Sequence, residues 1–272
     1  SDTIVLDTTA PVTTPSATTG TFNGAQTVTL TSNDGSPIYY TTDGSDPRTS
    51  PTRVQYSTPI AVSSSMTLKY YSLDSAGNPE EVKTQVYTIT YNLAVSKNGT
   101  GTGVVTSAPM GISCGGDCSE AYNSGTQVVL TPSADSGFTF TGWAGCDSVN
   151  GNDCTVTMNT ARNVTATFND LTAPVGTVSI NGGAALTNSP SVTLTLTCTD
   201  AGGCAQMRFS NDNITWSDPE PYASQKAWVV PSGDWERIVY AKFKDNSGNW
   251  SAPVSDTIVL DTTAPVTTPS AT

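Results

Sequence analysis

Thr67-Leu-Lys-Tyr-Tyr71, Asp74-Ser-Ala-Gly-Asn78 and Gln85-Val-Tyr-Thr-Ile89 read as strand, turn and strand. The outer runs are rich in β-branched and aromatic residues, and the middle one carries turn formers. The same order recurs at Ile238-Val-Tyr-Ala-Lys-Phe243, Asp245-Asn-Ser-Gly-Asn249 and Thr257-Ile-Val-Leu260. Upstream, Val28-Thr-Leu-Thr31, Asn33-Asp34-Gly35 and Ile38-Tyr-Tyr-Thr41 match Val192-Thr-Leu-Thr-Leu196, Asp200-Ala-Gly-Gly203 and Gln206-Met-Arg-Phe209. Period-2 runs punctuated in this way predict two β-sandwiches of related design. No stretch offers a helical period, so the chain is expected to be all-β.

Composition narrows the function. The 272 residues include 11 Lys plus Arg and 23 Asp plus Glu, a net charge of −12, and no histidine. A serine–histidine–aspartate triad, a histidine base and a histidine-ligated metal are thereby excluded. The acidic balance argues against nucleic acid, whose phosphates need a basic face. No apolar run is long enough to span a membrane, and no signal-peptide pattern is present, so a mature piece or an internal fragment is expected. The 23 glycines and 17 prolines indicate many turns.

The first 18 residues, SDTIVLDTTAPVTTPSAT, return unchanged as Ser255 to Thr272, an offset of 255 − 1 = 254 residues. An identical stretch of this length points to one period of a longer tandem array, cut with an overlap. Thr-Ala-Pro-Val occurs three times, each after an aspartate: Asp7, Asp170 and Asp261. Proline and its extended neighbour make a short, stiff linker. The period therefore divides into modules 8–90, 91–170 and 171–260, with 261–272 opening the next copy. With sandwiches roughly 35–40 Å long, three in line would give about 100–120 Å per period.

Gly35-Ser-Pro-Ile-Tyr-Tyr-Thr-Thr-Asp-Gly-Ser-Asp-Pro47, with Tyr56 to Ile60 and Thr67 to Tyr71, resembles the chitobiase/β-hexosaminidase C-terminal type of Ig-like module. The third module is a looser Ig-like match. The middle one contains Gly99-Thr-Gly-Thr-Gly103, Cys114-Gly-Gly-Asp-Cys118, Phe138-Thr-Phe-Thr-Gly-Trp143 and Val164-Thr-Ala-Thr-Phe168. It resembles the divergent internalin-type B repeat of bacterial surface proteins. Asp-x-x-Gly-Asn followed by a strand and Asp-Thr-Thr-Ala-Pro is similar to the junctions of giant bacterial adhesins. That resemblance implies tandem Ig-like domains with calcium at their joints, at the bacterial surface.

Six cysteines form three local pairs: Cys114 with Cys118, Cys146 with Cys154, and Cys198 with Cys204. Zinc would need four converging thiolates, and the pairs lie in separate modules. Disulfides suit an even count in small domains with thin cores and place the chain outside the cytoplasm. Four cysteines in the middle module leave three pairings open.

The aspartates carry the expected chemistry. In an Ig-like sandwich the B–C and F–G loops lie at the pole where the chain enters. The first module would gather Asp7, Asp34, Asp74 and Asn78 there, and the third Asp170, Asp200, Asp245 and Asn249, with Asp261 opening the next joint. Carboxylates so placed repel one another unless a hard cation joins them. Calcium accepts six to eight oxygens in flexible geometry, whereas magnesium is stricter. Plain turn chemistry is the competing reading, since Asp and Asn are ordinary turn formers. Asp43-Gly-Ser-Asp46-Pro47 is read as such a turn.

A non-enzymatic repeat unit of an extracellular filament or adhesin stalk follows, its partners being neighbouring copies of the repeat and possible lateral copies of the chain. The alternative is an accessory carbohydrate-binding module using Trp143, Trp216, Trp228, Trp235 or Trp250. Trp228, Trp235 and Trp250 are also candidates for an interface between modules or chains.

Overall fold

A computed structural model describes residues 6–266. The described residues hold strands, turns and loops and no helix, as the alternating sequence requires. The chain divides into two compact units, the first comprising 1–96, 104–132 and 142–166, the second 97–103, 133–141 and 167–272. The strands Lys83–Asn98, Gln127–Ala134, Thr139–Ala144 and Arg162–Asn169 have residues on both sides of that division.

In the first unit the strands Ile38–Thr41, Met66–Ser72 and Lys83–Asn98 lie side by side and antiparallel. Tyr40 stands opposite Tyr70, and Met66 opposite Tyr87. Gly20–Asn23 runs parallel to the same long strand, and Ser119–Asn123 runs antiparallel to its later half. The 16-residue strand Lys83–Asn98 thus changes partners along its length. Tyr87, Ile89, Tyr91, Leu93 and Val95 are buried in unbroken alternation. The sequence division at 90/91 falls inside this strand. Ser124 N–H donates to Ile89 O at 2.8 Å, Gly24 N–H to Thr90 O at 2.8 Å, and Tyr91 Oη to Ser63 O at 2.8 Å. The end of the first sequence module is thus continuous with the start of the second in one strand.

The second unit contains a sandwich. One sheet is Val175–Ile180, Ser191–Thr199 and Gln225–Val229. The other holds Leu186–Thr187, Val254–Leu260, Trp235–Asp245, Cys204–Ser210 and Glu220–Pro221. Val178, Ile180, Val192, Leu194 and Leu196 of the first sheet face Met207, Phe209, Val239, Ala241, Phe243, Ile258 and Leu260 of the second. The alternate threonines of Ser191–Thr199 point to solvent, so the period-2 pattern specifies the register.

The three local disulfides form, with Cα separations of 4.3 Å for Cys114–Cys118, 5.6 Å for Cys146–Cys154 and 6.3 Å for Cys198–Cys204. The open pairing of the middle module is resolved as local. Each closure is worth about 2 kcal/mol on the chain-entropy scale for such short loops. No helix among the described residues is long and apolar enough to cross a membrane.

Candidate metal centre

The F–G turn Asp245-Asn-Ser-Gly-Asn249 follows the long strand Trp235–Asp245. Gly248, at φ 103°, reverses the chain where a side chain would be strained. Asp245 Oδ1 accepts Gly248 N–H at 2.6 Å and Asn249 N–H at 2.8 Å, and its Oδ2 accepts Asn249 Nδ2 at 2.7 Å. The same Nδ2 donates to Asp170 O at 3.1 Å, so Asn249 ties the entry linker to the turn. Asp170 holds its own linker as an Asx turn, accepting Thr172 N–H at 3.1 Å and Thr172 Oγ1 at 2.8 Å. Asp200 Oδ1 accepts Gly202 N–H at 2.8 Å in the B–C loop.

These contacts bring carboxylate oxygens of Asp170, Asp200 and Asp245 within 4.8 Å of one another. Asp170 and Asp245 are only 3% and 2% exposed. None of the three forms an ion pair among the described residues. Burial pushes the Asp200 carboxyl above its ordinary value, and the charges of Asp170 and Asp245 push it further. Gly202 leaves the space: a Cβ there would lie 2.3 Å from Asp170 Oδ2 and 3.4 Å from Asp200 Oδ1. Three hard oxygen donors, partly withdrawn from water and lacking a counter-charge, could hold a metal ion.

Loops 97–103 and 133–141 belong to the same compact unit. Asp170 N–H donates to Thr100 Oγ1 at 3.0 Å, and Thr172 Oγ1 lies 3.3 Å from Gly137 O. The linker carrying Asp170 is therefore held from both sides.

The first module builds the same clasp with a different outcome. Asn78 N–H donates to Asp74 Oδ1 at 2.8 Å, and Asn78 Nδ2 to Asp74 Oδ2 at 2.8 Å and Asp7 O at 3.0 Å. Gly77 has φ 90°. Yet the expected trio of Asp7, Asp34 and Asp74 is not gathered; among the described residues only Asp170, Asp200 and Asp245 converge. Asp34 is turned into its own loop, accepting Ser32 Oγ at 2.6 Å and Ser36 N–H at 2.9 Å. Ser32 in particular holds its carboxyl below the ordinary range, and Asn78 does the same for Asp74. Asn33 takes the linker instead, accepting Val12 N–H at 2.8 Å. Asp261 closes an Asx turn on Thr263 at 3.1 Å.

Two side chains escaped sequence reading. Glu80, 4% exposed, accepts Thr13 N–H at 2.8 Å and Ser72 N–H at 3.1 Å and pairs with Lys83 at 2.7 Å. Burial raises its carboxyl, but Lys83, Thr13 and Ser72 outweigh that and leave it below the ordinary value. Asp234 accepts Thr262 N–H at 2.7 Å, Thr262 Oγ1 at 2.6 Å and Thr263 Oγ1; the Thr262 hydroxyl foremost brings it to about 2. Glu80 beside Pro79 and Asp234 beside Gly233 look like ordinary turn residues in sequence. Asp43 is a turn, as read: Ser45 N–H reaches its Oδ1 at 2.9 Å and Thr52 Oγ1 its Oδ2 at 2.8 Å.

Trp216 and Trp250 share one setting, and the other tryptophans lie apart from it. The Arg208 guanidinium lies 5.2 Å from the Trp216 ring and 4.3 Å from Trp250, with Lys242 and Lys244 beside them. Trp228 packs on Phe209 at 5.4 Å and donates to Asn211. Trp143 Nε1 donates to Asn152 O at 2.7 Å, and Trp235 is 80% exposed.

Residues 17–84 match the family described as chitobiase/beta-hexosaminidase C-terminal domain, and residues 91–172 match the divergent InlB B-repeat domain. Two family models thus match successive stretches of the chain, and a β-sandwich follows them. No curated protein matches the chain. Among solved structures it is similar to fibronectin(III)-like modules of Clostridium thermocellum CbhA, at 10% identity and TM-score 0.29, over 92% of this chain and 94% of that one. It is also similar to a tetra-tandem repeat in the extending region of a large adhesion protein, at 14% identity and TM-score 0.35, over 93% of this chain and 74% of that one. A third is the Bacillus anthracis TIE protein, at 9% identity and TM-score 0.33, over 96% of this chain and 58% of that one.

Proposed function

We propose that the chain is a non-enzymatic structural period of a long extracellular or surface polypeptide, with modules 8–90, 91–170 and 171–260 and a calcium ion at Asp170, Asp200 and Asp245. The disulfides favour an oxidising compartment outside the cytoplasm. The ion would offset the repulsion of three crowded carboxylates and hold the linker, the B–C loop and the F–G loop together. Calcium suits this donor set because it tolerates carboxylate oxygens in irregular geometry.

The duplicated segment carries the tandem reading. Leu6 is 84% exposed, whereas its identical counterpart Leu260 is fully buried in the sandwich core. Conversely, Pro11 is buried against the first module, while its counterpart Pro265 is exposed. Each copy satisfies the half that the other leaves bare. Overlaid at one joint between periods, they would bury both halves, as an array requires.

Truncation at the two leucines tests this. In the single period Leu260→Ala should cost about 2–5 kcal/mol, the range for a buried leucine, and Leu6→Ala under about 0.5 kcal/mol. Calorimetry of a chain of two full periods should show the internal leucine costly too. Electron microscopy of the native material should show thin fibres of regular repeat; isolated globules would defeat the proposal.

A further inference from the structure

Resting on that tandem reading, we propose that successive periods are joined by a two-sided hydrogen-bond clasp, in which Asp234 of one period and Asn78, Asn33 and Glu80 of the next grip one and the same linker. The linker is Asp7–Thr13, which recurs as 261–267; position 267 lies outside the described residues.

The two copies expose what each neighbour contributes. In the downstream copy, Asp234 takes Thr262 N–H at 2.7 Å, Thr262 Oγ1 at 2.6 Å and Thr263 Oγ1. Arg237 braces the Asp234 turn by donating to Ser232 O at 2.9 Å and Gly233 O at 2.5 Å. In the upstream copy, different atoms are held. Asp7 O accepts Asn78 Nδ2 at 3.0 Å, Val12 N–H donates to Asn33 Oδ1 at 2.8 Å, and Thr13 N–H donates to Glu80 Oε1 at 2.8 Å.

The two sets are complementary. Upstream, Thr8 makes no hydrogen bond among the described residues, although its counterpart Thr262 makes two. Downstream, Val266 N–H has no partner among the described residues, although its counterpart Val12 has one. No linker atom is claimed by both neighbours, so both can hold at once. The linker keeps one local shape in both settings: Thr9 N–H donates to Asp7 Oδ1 at 3.0 Å, and Thr263 N–H to Asp261 Oδ1 at 3.1 Å. Carboxylate acceptors bind backbone N–H groups more strongly than neutral ones do. Asp234 and Glu80 thereby supply one charged acceptor on each side, and the joint needs no ion.

The test compares amide hydrogen exchange at the linker in the single period and in a chain of two full periods. Thr262 N–H should be protected in both. Val266 N–H should exchange at least tenfold more slowly in the two-period chain, where Asn33 of the second period becomes available. Asp234→Ala should accelerate Thr262 by a similar factor, and Asn33→Ala in the second period should release Val266 alone. Asn33 is an exposed turn residue and Asp234 a half-buried loop residue, both outside the core. EDTA should leave linker exchange unchanged. Equal Val266 exchange in the two chains, or acceleration by EDTA, would overturn the clasp. A native polypeptide whose sequence does not continue from Thr272 into another copy would defeat the tandem reading instead, while Asp234 protection of Thr262 in the single chain would remain.

Discussion

Two acidic poles share one plan and differ in their third member. At both, an Asp-x-x-Gly-Asn turn clamps an incoming aspartate by its carbonyl, through Asn249 to Asp170 and through Asn78 to Asp7. At one, Asp200 joins the pair, and Asp170 and Asp245 are withdrawn from water. At the other, serines on either side of Asp34 turn it back on its own loop, and Asn33 meets the linker as a neutral acceptor. The clasp is therefore separable from the ion site. Asparagine holds the linker in both modules, while three aspartates meet only at the pole where Asp200 of the B–C loop joins Asp170 and Asp245.

The sharpest way to break this comparison is to remove the turn aspartate from each pole. Asp245→Ala deprives three N–H groups at a buried position of their acceptor and should cost about 2–4 kcal/mol in calcium. Asp74→Ala acts at a more exposed position, where the Asn78 donors can turn to water, and should cost clearly less. Thermal unfolding of both variants measures the difference; equal costs would mean that burial and the ion add nothing.

A smaller effect separates the poles by pH. Asp200 has its folded carboxyl raised, so in metal-free protein its contribution favours the fold at low pH and is lost as pH rises through that folded value. Asp34 and Asp74 are lowered, so their contribution is present above the ordinary carboxylate range and is lost as pH falls through their folded values. Amide exchange in EDTA should show the loops at 200–202 loosening from acid toward neutral pH. The loops at 34–36 and 74–78 should loosen only in strong acid. Calcium should abolish the first trend and leave the second.

Much of this was legible in sequence because period and chemistry agreed. The alternation of Val192-Thr-Leu-Thr-Leu196 could be satisfied only by a strand with one buried face. The local cysteine pairs could close without long loops. Asp170, Asp200 and Asp245 stood out because related modules repeated the turn. What stayed hidden depended on side-chain direction. Asn33 and Asp34 are adjacent, and nothing in their order tells which one faces the linker; Ser32 and Ser36 decide it through short hydrogen bonds. Glu80 gave no sign of burial, because the lysine that neutralises it lies three residues away among ordinary strand residues. The partner change along Lys83–Asn98 was hidden for the opposite reason: an uninterrupted alternation carries no mark of where one set of neighbours ends.

The most direct test is a calcium titration of the single period followed by backbone amide NMR. The shifts should saturate together and concentrate at Asp170, Asp200, Gly202, Asp245 and Asn249, while Asp7, Asp34, Asp74 and Asn78 stay still. Shifts of equal size at both poles, or none at Asp170, Asp200 and Asp245, would contradict the assignment of an ion to one pole and a bare hydrogen-bond clasp to the other.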